Sequence, residues 1–453
     1  MKGIGLKLKK NTTEQISKNN RMSDFIRDFL TFKFNNIPNQ NKVFDVFKER
    51  YQFENEDKLI DLLEEIKSFS KFYNYFINPD LVVNEKIREN LKQIKKLQIN
   101  VSYPFLLQVF KAYDENIIQE HDLIEALEII QSFVWRRFIC GVATNALNKI
   151  FMDLYKSIDE NDFINSLWKN LLTKTGSQRF PNNDEVFKEL EFKDMYNIQP
   201  KNKTYFLERL ENYGHRIQNN IDNNENVTIE HIFPQKPNGD WKNSLGSEYE
   251  TMKKLANTAA NLTLSAFNSE LSNSSFTFKR DLPDKGYKFS PLRMDKYLAE
   301  IEDWNLQSLQ ERRKWIENRF LQIWKYPENF IQDERSLEFE EMNILDIDPE
   351  SVKHKGIEYF VFFDEKYDSP SFQSLFKTVA SIMFEREPNM FFETELRERL
   401  KLTQEKDLLR YALQISQSYY VEANLSAVHI VQRVQRILHV CITDDDLIIK
   451  LKN

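Results

Sequence analysis

The sequence predicts a mainly α-helical protein with a small α+β core and a C-terminal α/β module. Three observations carry this expectation. First, residues 22 to about 200 read as a succession of helices. MSDFIRDFLTFKF places Phe25, Ile26, Phe29, Leu30 and Phe32 at helical spacing, and DKLIDLLEEIKSFSKFYNYF repeats the period with Leu59, Leu62, Leu63, Ile66 and Phe69. Second, two short β-prone runs, Val227–Ile232 and Asn261–Leu264, flank a long polar segment. Third, IEYFVFFDEKY and DLIIKLK have strand character and enclose two helical runs, SFQSLFKTVASIMFERE and AVHIVQRVQRILHVC.

Taken in order, LIEALEIIQSFVWRRFICG is a long apolar helix for which Gly141 makes a stop. Arg136 and Arg137 within it invite a phosphate-contact reading. At the edge of an apolar helix, pairing with a carboxylate or covering apolar surface with the stem is the better one. Residues 203–222 form a helix that delivers the chain to the first β run, through the turn-rich lead-in NNENV. Pro234 ends that run, since it cannot donate to a ladder. Residues 236–260 are polar, with a tight turn at Asn238–Gly239 and Trp241 as an anchor. Residues 297–324 form an amphipathic helix or pair of helices packed on the core. No exact repeat occurs, so a solenoid is not supported.

Past Tyr326–Pro327 the run NFIQDERSLEFEEMNILDIDPE is acidic and weakly periodic, as a linker would be. The expected division is therefore a helical region at 1–200, the α+β core with flanking helices at 201–327, a linker at 328–348 and the module at 349–453. In that module His429 and His439 sit among apolar neighbours and read as structural, not metal-binding.

Composition sets limits on function. A chain of 453 residues makes two to four domains of about 100–200 residues each. With 41% hydrophobic and 29% charged residues the class is globular. Nine glycines, with no G-x-G-x-x-G or G-x-x-x-x-G-K run, argue against a Rossmann or P-loop nucleotide site. The 36 phenylalanines read as core filling. Cys140 and Cys441 stand alone, so a Cys-type zinc site is excluded, and a reducing, cytoplasmic location is expected. The basic start MKGIGLKLKK is followed by polar residues, not by the apolar centre of a signal peptide. No run of about 18 apolar residues exists, so no membrane span is expected. The net charge of −7 argues against attraction of nucleic acid to the whole surface. One local patch remains: Lys279, Arg280, Lys285, Lys288, Arg293 and Lys296, set against Asp281, Asp284 and Asp295.

The chemistry concentrates in residues 227–281. VTIEHIFPQKPNGDW is followed, after a gap, by NTAANLTLSAFNSELSNSSFTFKRD. An imidazole with a carboxylate beside it, His231 and Glu230, sits at one strand end. Two carboxamides, Asn261 and Asn268, sit on the next strand and the following helix. A neutral imidazole takes a proton from water near pH 7, its unperturbed pKa being about 6.5. A carboxylate and an amide oxygen are hard ligands of the kind Mg²⁺ prefers, and such an ion stabilises charge on a scissile phosphate. A second amide can tie a loop so that the imidazole is aimed.

These residues resemble the ββα-metal, or HNH, nucleases. More narrowly they resemble the nuclease half of GmrSD-type, type IV modification-dependent restriction endonucleases, whose motif reads much like E-H-I-x-P-Q, then N-L-T-L, then N-x-x-L-S-N-x-x-F-x-x-K. The resemblance implies His231 as general base, Asn261 as a structural residue of the first loop and Asn268 as a metal-side residue. It implies Glu230 and Asn268 as ligands of Mg²⁺ or Mn²⁺, and Lys279 near the phosphate. From the local basic patch, Arg280, Lys285 and Lys288 are expected as further contacts to nucleic acid. FVWRRFICG, NALNKIF, RFPNNDEVFKEL and YFLERLENY are similar to the helical region before that core. One departure is Ala260, where the family commonly has Gly.

A metal-dependent DNA endonuclease of an anti-phage restriction system is therefore expected, acting on DNA that includes modified phage DNA. A non-catalytic DNA-binding protein on the same scaffold and an RNA-directed nuclease are the alternatives. The family's ParB-like nucleotide-handling domain, with its D-G-Q-Q-R type motif, has no counterpart in this sequence. The run GIGLKLKKNTTEQISKNNRMSDFIRDFL looks like the seam to it, so the chain is expected to be one component of a split system, with a partner carrying that domain, or a shortened form of a longer protein. The C-terminal module resembles one found on several restriction-associated proteins, YVEANLSA being its most recognisable run.

Overall fold

Phenylalanine spacing builds the first helices of the computed structural model. Helix Arg21–Phe34 buries Phe25, Phe29, Leu30 and Phe32, with Phe25 against Tyr73 and both Phe29 and Phe32 against Phe69 of helix Glu56–Ile77. Aromatic pairs of this kind contribute about 0.5–1.5 kcal/mol beyond the area they bury. The 36 phenylalanines of the chain thus go largely to core here, as in the edge-on pairs Phe29–Phe69 and Phe76–Phe110. The structure describes residues 21–52, 56–215, 219, 221, 227–327, 341–347, 349–353, 355–363, 365–368, 371–441 and 447–452. The start of the N-terminal run (1–20), the lead-in at 222–226 and most of the acidic linker (328–340 and 348) lie outside them.

Helix Glu120–Ile139 ends where the sequence suggests. Gly141 takes φ +65°, a left-handed conformation that glycine adopts freely, and Val142 N–H bonds back to the Arg137 carbonyl at 2.9 Å. Arg136 is fully buried and has a structural task. Its guanidinium donates to the Trp324 carbonyl at 2.6 and 2.8 Å, to Asn183 Oδ1 at 2.7 Å and to the Pro181 carbonyl at 3.3 Å. It thereby ties three segments of the helical core together, and no phosphate is needed to explain it.

The chain divides into two units: residues 1–142, 147–171 and 180–328 form one, and 143–146, 172–179 and 329–453 the other. The helical region and the α+β core thus share a unit. Within it, β1 (Thr228–His231) pairs antiparallel with β2 (Leu262–Ser265), His231 opposite Leu262 and Glu230 opposite Thr263. The apolar face of this hairpin carries Ile229, Leu262 and Leu264. It packs among Tyr205, Phe206 and Leu210 of helix Pro200–Asn212 and Ile316 and Phe320 of helix Leu306–Ile323. The segment 297–324 is accordingly two helices, Arg293–Ala299 and Leu306–Ile323.

The polar segment between the strands is more ordered than its composition suggests. It holds helices Gly239–Leu245 and Tyr249–Leu255. Asn238 makes no tight turn there; its side chain accepts from Asp240 and Trp241 N–H and caps the first of these helices. Asn–Gly pairs serve either purpose, and the choice falls to whether a helix can follow. Trp241 does anchor the segment: it is buried, and its indole N–H donates to the Ser274 carbonyl at 3.0 Å.

The second unit contains a four-stranded antiparallel sheet in the order β3 (Glu341–Asn343), β8 (Ile448–Leu451), β4 (Ile357–Phe362), β5 (Glu365–Tyr367). A hairpin of β6 (Ala412–Gln414) and β7 (Tyr420–Glu422) and helices Phe372–Arg386 and Ala427–Val440 complete it. Taken with the first unit, the protein is mainly α with small α+β regions. His429 and His439 both lie exposed on the last helix, ten positions apart and so on different faces. Among the described residues no group of three or more His, Cys, Asp or Glu is placed to hold an ion.

In YVEANLSA, the buried Glu422 carboxylate accepts from Arg410, Tyr411 and Asn424 N–H at 3.0, 3.1 and 2.9 Å. Burial alone would raise its pKa, but these amides hold it below the usual 4.5. A carboxyl whose folded pKa is depressed stabilises the fold above its unfolded pKa and loses that contribution as pH falls. The second unit should therefore weaken on acidification through pH 4.5 and below, and Glu422→Gln should flatten that dependence while lowering stability at pH 7. Melting curves against pH of both proteins test this; parallel curves would contradict it.

Candidate active site

Each predicted residue is positioned by the β1–β2 hairpin and the two short helices after it. Successive side chains of a strand point to opposite faces, so Glu230 and His231 diverge. His231 lies on the face shared with Ile229 and Leu262, and Glu230 on the face shared with Thr263.

His231 is 9% exposed and held from three directions. Its Nε2 lies 3.1 Å from Asn257 Oδ1, which also accepts from Gln235 Nε2 at 2.9 Å. Asn257 Nδ2 in turn donates to Asp194 Oδ2 at 3.0 Å. The Tyr196 ring meets the imidazole edge-on, centroids 4.3 Å apart, and Lys203 Nζ lies 4.5 Å above that tyrosine. Nδ1 has no protein partner among the described residues. Burial pulls the imidazole pKa below its usual 6.5. The Asn257 hydrogen bond opposes this, the Lys279 charge adds to it, Asp194 opposes and Lys203 adds. The ring is thus kept neutral and able to accept a proton.

Asn261 is fully buried and does the work of a loop clamp. Its Oδ1 accepts from Phe233 N–H at 2.8 Å and Trp304 Nε1 at 3.0 Å; its Nδ2 donates to the carbonyls of Phe233 and Ala256 at 2.8 and 2.7 Å. These bonds fasten the chain just after His231 to the start of β2. Ala260, where the family commonly has Gly, lies in the right-handed turn Ala259–Asn261 and not at positive φ, so its Cβ carries no backbone cost. Asn261→Ala would strand the Phe233 and Trp304 donors, at about 1–3 kcal/mol each. The expected result is a lower melting temperature together with reduced activity, and an unchanged melting temperature would contradict the clamp.

Asn268 opens helix Asn268–Leu271 and is half-buried. Its Nδ2 donates to the Ile229 carbonyl at 2.7 Å and to Thr228 Oγ1 at 3.3 Å, leaving Oδ1 uncommitted among the described residues. Glu230 and Lys279 are placed otherwise than the resemblance implies. Lys279, on helix Phe276–Asp281, is fully buried, and its ammonium donates to Glu230 Oε1 at 2.6 Å and to the His231 carbonyl at 2.7 Å. A fully buried ammonium with two acceptors cannot also face a solvent-borne phosphate. Gly286 presses on the end of this helix so closely that a Cβ would meet the Arg280 carbonyl at 2.6 Å. Burial raises the Glu230 carboxyl to about 7 against the pull of Lys279.

The predicted ligand pair therefore does not fit as a pair. Glu230 would have to exchange a buried ammonium for an ion, and it projects from the opposite face to His231. Asn268 Oδ1, without a partner among the described residues, is the oxygen of the two not held against a buried ammonium. The basic patch is also largely matched by carboxylates. Arg280 is bound to Asp281 and to the carbonyls of Ile301 and Glu302, Lys285 to Glu270, and Lys288 to Asp281.

Sequence reasoning missed Asn257, Asp194, Tyr196 and Lys203. Asn257 stood in plain sight within NTAANLTL, one helical turn before Asn261. Asp194 and Tyr196 carry no local motif; the turn after helix Asn183–Phe192 brings them in, where Met195 N–H bonds the Asn257 carbonyl at 2.9 Å.

No curated protein matches the chain. Residues 180–318, which include Asp194, Glu230, His231, Asn257, Asn261, Asn268 and Lys279, match the family model described as GmrSD restriction endonucleases, C-terminal domain. That match is a likeness of these residues to the C-terminal domain of restriction endonucleases of that type, over about a third of the chain.

Proposed function

We propose that this protein is an HNH-type endonuclease that hydrolyses DNA phosphodiester bonds in defence against foreign DNA, with His231 as general base. The observation that carries the reading is the imidazole itself. It is oriented at one ring nitrogen, open at the other and kept neutral, within a segment similar to a restriction endonuclease domain. In the proposed reaction His231 removes a proton from water as the water attacks phosphorus. Asn261 keeps the loop that bears the imidazole in place.

Dependence on Mg²⁺ or Mn²⁺ is part of this reading on the chemistry of the reaction: a bound divalent ion supplies charge neutralisation at the phosphate. The geometry favours Asn268 over Glu230 for contact with it, because Asn268 Oδ1 accepts from no described residue, whereas the Glu230 carboxylate is buried against the Lys279 ammonium. Asn268→Ala is accordingly expected to need more Mg²⁺ for half-maximal cleavage, and Glu230→Gln to leave that midpoint unchanged. Identical Mg²⁺ titrations for Asn268→Ala and wild type would remove Asn268 from the ligand role.

The test of the function is incubation of the purified chain with plain and modified phage DNA, and with matched RNA, in the presence of Mg²⁺. Cleavage of DNA that His231→Ala abolishes supports the reading; preferential cleavage of RNA would move it to the other nucleic acid. A ParB-like, nucleotide-handling partner belongs to the same proposal. Stoichiometric binding of a nucleoside triphosphate by this chain alone would contradict that part.

A further inference from the structure

We propose that Asp194 and Asn257 are positioning residues that lock His231 in its Nε2–H tautomer and so present Nδ1 as the proton acceptor. For what Nδ1 does, this rests on the hydrolytic reading above; for which nitrogen it is, it rests on geometry alone.

The assignment follows from donor and acceptor chemistry. An ionised carboxylate only accepts hydrogen bonds, so the atom of Asn257 that faces Asp194 must be its NH₂ group. The orientation of the amide, which is otherwise ambiguous, is thereby decided. Oδ1 must then face His231 and Gln235, and a carbonyl oxygen only accepts. The imidazole nitrogen 3.1 Å away therefore carries the hydrogen. A neutral imidazole has one N–H, so Nδ1 is left with a lone pair.

Asp194 cannot easily turn away from this duty. Its carboxylate also accepts from Tyr196 N–H at 3.0 Å, Asn197 N–H at 2.8 Å and Asn197 Nδ2 at 2.7 Å. The same turn sets the Tyr196 ring against the imidazole. The Met195–Asn257 backbone bond at 2.9 Å gives the amide a second tie to this turn. The arrangement matches the general pattern in which a third group orients a catalytic base, here through one intervening amide. A plainer account is that Asp194 merely closes its own turn. The two accounts differ in what they require of the imidazole.

The experiment uses the full chain labelled with ¹⁵N at its 6 histidines, with His231→Gln to assign the resonance. Long-range proton–nitrogen spectra at a pH where the ring is neutral should show a protonated Nε2 and a bare Nδ1 for His231. Asn257→Ala and Asp194→Ala should give a mixture of tautomers. Asp194→Asn keeps an oxygen that can accept from Asn257 and should restore the wild-type spectrum. A protonated Nδ1 in the wild type overturns the proposal, even if no variant folds. So does an unchanged tautomer in a folded Asn257→Ala protein. Cleavage of DNA is measured in parallel, and Asn257→Ala should lower kcat with KM unchanged. A wild type with the expected tautomer and no cleavage would sink the hydrolytic reading while leaving the positioning of the ring intact.

Discussion

His231→Ala is expected to lower DNA cleavage by about 10²- to 10⁴-fold, the usual contribution of a positioned acid–base group, with folding retained. The hairpin does not depend on the imidazole. Its apolar face is held by Leu262, Leu264 and Ile229, and the residues just after His231, Ile232 and Phe233, are themselves fully buried. Initial rates and melting curves, measured on the same preparation, separate chemistry from stability. A variant that melts like wild type and cuts at the wild-type rate would take His231 out of the reaction.

Lys279→Ala should give the largest loss of stability, because it leaves the buried Glu230 carboxyl without its partner. The pair is 0% and 3% exposed, with the atoms 2.6 Å apart. Removing one partner of such a pair costs about 3–5 kcal/mol, here as a stranded carboxyl that burial, no longer opposed by the ammonium, drives to take up a proton. Replacing both, Glu230→Leu with Lys279→Met, should recover much of that loss, since well-packed apolar groups of similar volume often serve as well. Chemical denaturation of the single and double variants measures the difference. A Lys279→Ala protein as stable as wild type would mean that the ammonium faces solvent in solution, as a phosphate contact would require.

The hairpin, the aromatic helices and, in the second unit, β4, β5, β8 and the two long helices were legible because each is written in local periodicity, whereas β3, inside the run read as a linker, and the short β6–β7 hairpin were not. Phe25 and Phe29, or Ile357 to Phe362, declare their burial within a few residues. His231, Asn261 and Asn268 were legible for a different reason, since their motifs lie close together in the chain. What stayed hidden was long-range. Asp194 reaches the site from over thirty residues upstream of His231, and only the packing of a turn against the loop before β2 brings it there. The side-chain partners were hidden too. Glu230 and Lys279 look like a ligand and a phosphate contact while the chain is linear, and the fold pairs them with each other. The helices at Gly239–Leu245 and Tyr249–Leu255 were missed because polar composition masks a helix whose few apolar residues, Trp241, Leu245 and Met252, bury one narrow face.

The central claim is that this chain cleaves DNA with His231 as its base. Its most direct test is a single-turnover cleavage assay of purified wild type and His231→Ala on the same phage DNA, with Mg²⁺ and with chelator. The account predicts metal-dependent cleavage by wild type and loss of about 10²-fold or more in the variant. Equal cleavage by the two proteins, or no cleavage by wild type on plain or modified DNA, would contradict it.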